Sequence, residues 1–120
     1  MQNPLNLRVS GMAEDLAVLV YRFVRGFPVA ERFELSAQMR RAAVSVGSNI
    51  FEGCGLRSNK ALIASLYVAH GSVSELIFQL RLARRNEFGD DGLAVEVSRK
   101  LDEVQRSLIR LIHELERKSA

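Results

Sequence analysis

Residues 97–115 read VSRKLDEVQRSLIRLIHEL. Val97, Leu101, Val104, Leu108, Leu111 and Leu115 step by 4, 3, 4, 3 and 4. That spacing is a heptad seam, which a helix places on one side. Ile109 and Ile112 add a second apolar flank. Opposite charges stand four apart: Glu96 with Lys100, Asp102 with Arg106, Arg110 with Glu114, Glu114 with Lys118. They read as a solvated face laced by ion pairs. The segment predicts an amphipathic helix over about 91–118, which must bury its seam against partners.

The rest of the chain supplies three. Met12, Leu16, Leu19, Val20, Phe23, Val24 and Phe27 fall on one helical stripe. Ser10 and Gly11 are set to start that helix, and Phe27-Pro28 to stop it, so it should span about 12–26. A second helix, about 36–55, takes Ser36 as its N-cap. It buries Met39, Ala42, Ala43, Val46, Ile50 and Cys54, mostly small residues that permit close approach. A third, about 58–87, starts at Ser58. It carries Leu62, Ile63, Leu66, Ala69, Val73, Leu76, Ile77, Leu80 and Ala83 inward. Phe88-Gly89-Asp90-Asp91-Gly92 is a turn by composition. Four amphipathic helices joined by short connections predict an all-α fold, an antiparallel up-and-down four-helix bundle.

Size and composition agree. At 120 residues there is room for one core, and 48% apolar with 26% charged residues is a globular balance. One cysteine excludes an intrachain disulfide and a Cys-rich zinc site. The N-terminal MQNPLNLRVSG lacks a signal peptide's apolar stretch of roughly 7–15 residues. No uninterrupted run approaches the roughly 18 apolar residues of a membrane helix. The expected setting is the cytoplasm, with no membrane partner.

Chemistry-bearing constellations are absent from the sequence. His70 has no metal ligand at i+3 or i+4, and His113 has only Glu116, at i+3, too few for a site. Cys54, between two glycines at a helix end, reads as a small buried filler. The expectation is therefore no enzyme, no metal and no cofactor. An unusual polar stripe on the second helix is Gln38, Arg41, Ser45, Asn49 and Glu52, which share a face. The third helix offers Ser72 and Glu75, with His70 and Gln79. Together they form a candidate buried polar network that fixes register; a ligand pocket and a half-exposed face are the alternatives.

Charge is mildly basic, +3 overall with pI near 9.5. Of the basic residues fourteen are arginine and three lysine. Through residue 89 the balance is +4, and beyond it −1. Candidate nucleic-acid-binding residues are Arg22 with Arg25, Arg40 beside Arg41, Arg57 with Lys60, and Arg81 with Arg84 and Arg85. Scarce aromatics favour recognition of phosphates and shape over base stacking.

The run Gln38-Met-Arg40-Arg41-Ala42-Ala43-Val44-Ser45-Val46, followed by Asn49-Ile50-Phe51-Glu52-Gly53, resembles the signature of the bundle proteins encoded in intervening sequences of bacterial 23S rRNA genes. Phe27-Pro28-Val29-Ala30-Glu31 fits that family's Phe-Pro and Glu pattern. Ala69-His70-Gly71-Ser72-Val73-Ser74-Glu75-Leu76 fits its Ala-x-Gly-Ser-x-x-Glu-Leu pattern. The resemblance runs from about Ala13 to Leu115. Phe51 departs from the family's usual alanine, and Leu56 intervenes before Arg57. The resemblance implies a four-helix bundle in a homo-oligomer, a ring of five being favoured. It also implies kinship with the nucleic-acid-binding accessory protein of diversity-generating retroelements. Expected partners are copies of the chain, RNA or DNA, or another protein. A ring of five would raise the charge to about +15 and repeat every basic patch.

Overall fold

Apolar residues recur with helical period from Val9 to Leu115, and the helices follow them. The computed structural model describes residues 2–119, with side chains to 118. Its helices are α1 (Arg8–Val24), α2 (Leu35–Cys54), α3 (Asn59–Arg85) and α4 (Asp91–Ser119). Single 3-10 turns lie at Pro4–Asn6 and Val29–Glu31. Each helix packs on the next, and α1 also packs on α4, while among the described residues the diagonal pairs do not approach backbone to backbone. The result is an all-helical, antiparallel up-and-down four-helix bundle of 47 × 22 × 20 Å.

Two helix starts differ from expectation. α1 begins at Arg8, because Val9 and Ala13 extend the buried stripe backward by a turn. Ser10 is therefore buried inside the helix rather than starting it. Asn3 caps the preceding turn instead, its Oδ1 accepting from Leu5 N at 3.0 Å. α2 begins at Leu35 with Glu34 as its N-cap residue, so Ser36 lies in the first turn and caps nothing. Ser58 does cap α3, accepting from Ala61 N at 3.1 Å.

The inner stripe of α4 also shifts. Val97, Leu101, Val104, Leu108, Ile112 and Leu115 are buried, whereas Leu111 is only half-buried and Ile109 is exposed. A straight helix repeats every 3.6 residues, not 3.5, so the facing position drifts from Leu111 to Ile112 by the fourth turn. Ile112 thus belongs to the core and not to a spare flank. Among the described residues Asp102 pairs with Arg106 at 3.1 Å as expected. Lys100 instead pairs with Glu103 at 2.9 Å rather than with Glu96, and Arg110, Glu114 and Lys118 make no ion pair.

Glycines permit two tight places. A Cβ on Gly53 would stand 2.7 Å from Ser65 Cβ, so this residue lets α2 approach α3 closely. Gly89 has φ +77° and faces Phe23, whose ring would lie 2.8 Å from an added Cβ. The rings of Phe23, Phe27 and Phe88 close that end of the bundle, with centroids 5.0 and 5.6 Å apart. Asp90 then caps α4 by accepting from Leu93 N at 2.9 Å. Cys54 is fully buried at the far end, and burial pushes its thiol above its ordinary pKa.

Averaged over an 18-residue window, α3 reaches a mean hydropathy of 1.5, long and apolar enough by composition to cross a membrane. The sequence still holds no uninterrupted apolar run of that length, since alanines and scattered Leu and Val raise the mean without forming one. Only 33% of that window is buried. Ala64, Val68, Gly71, Phe78 and Leu82 line the outward face, with Val68 55% and Phe78 65% exposed.

Candidate nucleic-acid interface

The α2–α3 seam holds only the middle of the polar stripe. Ser72 Oγ on α3 donates to Ser45 Oγ on α2 at 2.9 Å. Asn49 Nδ2 donates to Ser45 Oγ at 3.1 Å and to its carbonyl at 2.8 Å. This small half-buried network ties the two helices together. Gln38, Arg41, Glu52 and Glu75 are exposed, so they are not part of a buried network. Gln38, Arg41, Ser45 and Glu75 line a shallow hollow of about 230 Å³, in which Arg41 and Glu75 form no ion pair. A helix face is wider than the seam that buries it, and these four residues fall on its open side. Gln79 is the buried amide. Its Nε2 lies 3.5 Å from Glu75 Oε2, and its Oε1 has no partner.

The basic residues separate into three groups. Arg22 on α1 and Arg25, its C-cap residue, share a hollow with Val18 and Tyr21. Arg40 and Arg41 on α2 share another with Tyr21 and Val44. A third, of about 230 Å³, brings Arg25 and Arg40 together with Arg32 of the α1–α2 connection. One face thus carries Arg22, Arg25, Arg32, Arg40 and Arg41 around the half-exposed Tyr21 ring. None of the five forms an ion pair among the described residues. Arg40 is half-buried, and its NH2 donates to Arg32 O at 3.3 Å.

Arg57 and Lys60 are exposed at the opposite end, where α2 passes to α3. Arg81, Arg84 and Arg85 lie at the far end of α3 and line none of the arginine hollows. Arg84 is engaged, its NH2 and Nε both 3.1 Å from Asp91 Oδ1. The eight expected basic positions therefore do not form one surface. Arg32 joins the main group without having been expected there. Its only signal is Pro28, which turns the connection back across the helix ends.

Comparison with known proteins adds one decisive match. The family model described as 23S rRNA-intervening sequence protein matches residues 5–110. The chain belongs to this family. A crystal structure of a protein with unknown function, from the S23 ribosomal protein family of Bacteroides thetaiotaomicron VPI-5482, is similar in fold and sequence. It superposes with a TM-score of 0.75 at 27% identity, covering 87% of this chain and 97% of that one. No curated protein matches the chain. Phe51, the departure from the family pattern, sits on the outer surface of α2 and outside the buried core.

Proposed function

We propose that this member of the 23S rRNA-intervening sequence protein family is a non-enzymatic homo-oligomer, a ring of five, that binds structured RNA or another nucleic acid. The observation that carries the reading is the α1–α2 face, where five arginines stand without a carboxylate partner. Guanidinium groups left free of internal ion pairs are available to phosphate, whose oxygens match their donor fork. A single copy at +3 is a weak polyanion ligand. Repetition of the face around a ring supplies avidity.

The apolar outer face of α3 supports the assembly half. Val68, Phe78 and Leu82 are exposed there on one line, while the outer face of α4 is charged. The same face favours a second reading, a protein–protein assembly module with no nucleic-acid role.

The two are separated by binding of an RNA hairpin across a salt series, with mass measured by light scattering. A nucleic-acid binder loses affinity steeply with salt, with a log–log slope of about −0.9 per phosphate contacted on a duplex. A multiple of 13.4 kDa with no RNA binding at low salt selects the assembly module, and a mass of 13.4 kDa refutes the ring.

A further inference from the structure

The third arginine hollow lies where α2 begins, and it is built from more than surface charge. Arg25, Arg32, Arg40 and Ser36 line it, with Val29 and Pro28 on its wall. Ser36 is 3% exposed and its hydroxyl makes no hydrogen bond among the described residues, while its oxygen keeps some access to solvent from the hollow. A hydroxyl on so buried a residue normally finds a partner within the chain or in what enters the hollow.

The backbone adds further unpaired donors. The first N–H groups of a helix have no intrahelical acceptor and carry the positive end of its dipole. At α2 the Leu35 N–H is taken at 3.4 Å by Glu31 Oε1. Those of Ser36 and Ala37 meet no acceptor, since the N-cap residue Glu34 makes no side-chain cap. Glu31 and Glu34 are the carboxylates of this connection, and neither lines the hollow.

The guanidinium groups are held in place. Arg40 is anchored by its bond to Arg32 O, and Arg32 lies over the Phe33 ring at 5.3 Å from the centroid. Three arginines and Ser36, with its free hydroxyl and amide, line one hollow, and the free amide of Ala37 follows next in the chain, Ala37 itself lining the neighbouring hollow of Tyr21 and Arg41. This is the complement of a tetrahedral oxyanion.

We propose that the hollow formed by Ser36, Arg25, Arg32 and Arg40 at the start of α2 is a phosphate site, and that it seats a backbone phosphate of the bound nucleic acid. The second half rests on the nucleic-acid reading; the first does not. A phosphate there accepts from Ser36 Oγ and from the Ser36 and Ala37 amides, while the guanidiniums neutralise its charge. Position on this seat would fix the register of the strand along the arginine face without reading its sequence.

The test follows the amide resonances of the full-length protein while inorganic phosphate, or separately an RNA hairpin, is titrated in. Phosphate should shift the Ser36 and Ala37 amides saturably, and the hairpin should shift the same two. The double variant R25Q/R40Q should abolish both effects. S36A should weaken phosphate binding about fivefold, as loss of one hydrogen bond would. Arg25 is exposed and Arg40 is half-buried, its guanidinium bonded only to Arg32 O, so the double variant should fold, and its unchanged remaining spectrum would verify that. If neither ligand moves the two amides, the site is overturned. If the hairpin binds while both stay unmoved, the seat is overturned and the nucleic-acid reading survives. If phosphate moves them and no hairpin binds, the site stands and the nucleic-acid reading falls.

Discussion

The two sides of the bundle handle charge differently. All three ion pairs among the described residues lie on α4 and its junction with α3, Arg106 with Asp102, Lys100 with Glu103 and Arg84 with Asp91, while Arg81, Arg85, Arg99 and Arg110 there stand unpaired. On the α1–α2 side, Arg22, Arg25, Arg32, Arg40 and Arg41 have no such partners. The residue type is the same, but the matched side pairs part of its charge internally and the unmatched side pairs none. The outer faces of α3 and α4 make a parallel contrast. Both helices bury one regular stripe, yet α3 also exposes a second apolar one. Charge and apolar surface beyond what a single bundle uses are what the proposed assembly and nucleic-acid binding would employ.

Substitutions can break this contrast, in descending order of effect. F78D/L82D places two carboxylates on the outer face of α3. The particle should fall to 13.4 kDa, and hairpin affinity should drop by about a hundredfold with the loss of avidity. V95D/I109D, on the outer face of α4, should leave the mass unchanged in the same light-scattering measurement. G53A pushes a methyl into Ser65 between α2 and α3 and should cost about 1–3 kcal/mol in chemical denaturation. S72A removes one bond of the Ser45–Asn49 network and should cost about 1 kcal/mol. R106Q breaks an exposed pair on the matched side and should change stability by less than about 0.5 kcal/mol.

Much of the fold was legible because helical periodicity repeats. Seven of the nine inward positions assigned to α3 are fully buried, Ile63 and Ile77 being the half-buried pair. The Ser58 cap and the Gly89 turn were legible because their chemistry is local. The start of α1 was missed because Val9 and Ala13 continue the stripe with small side chains that signal weakly. The exchange of Leu111 for Ile112 was missed because the drift between 3.5 and 3.6 residues grows along a long helix. The site was harder to read. Ser45, Asn49 and Ser72 do meet, but Arg41, Glu52 and Glu75 share only a helix face with them, and spacing alone does not locate the edge of a seam. Arg32 joins Arg25 and Arg40 through the path of the α1–α2 connection, which no local pattern encodes. The unpaired hydroxyl of Ser36 is a property of packing, and from spacing it resembled a cap.

The contrast between matched and unmatched charge is tested most directly by the salt dependence of RNA-hairpin affinity in two triple variants. R22Q/R25Q/R40Q removes unmatched arginines, and R99Q/R106Q/R110Q removes the same number from α4. Loss of three phosphate contacts should flatten the slope by about 2.7 in the first variant, while the second keeps the slope of the unaltered protein. Equal slopes for the two variants would contradict an interface on the α1–α2 face.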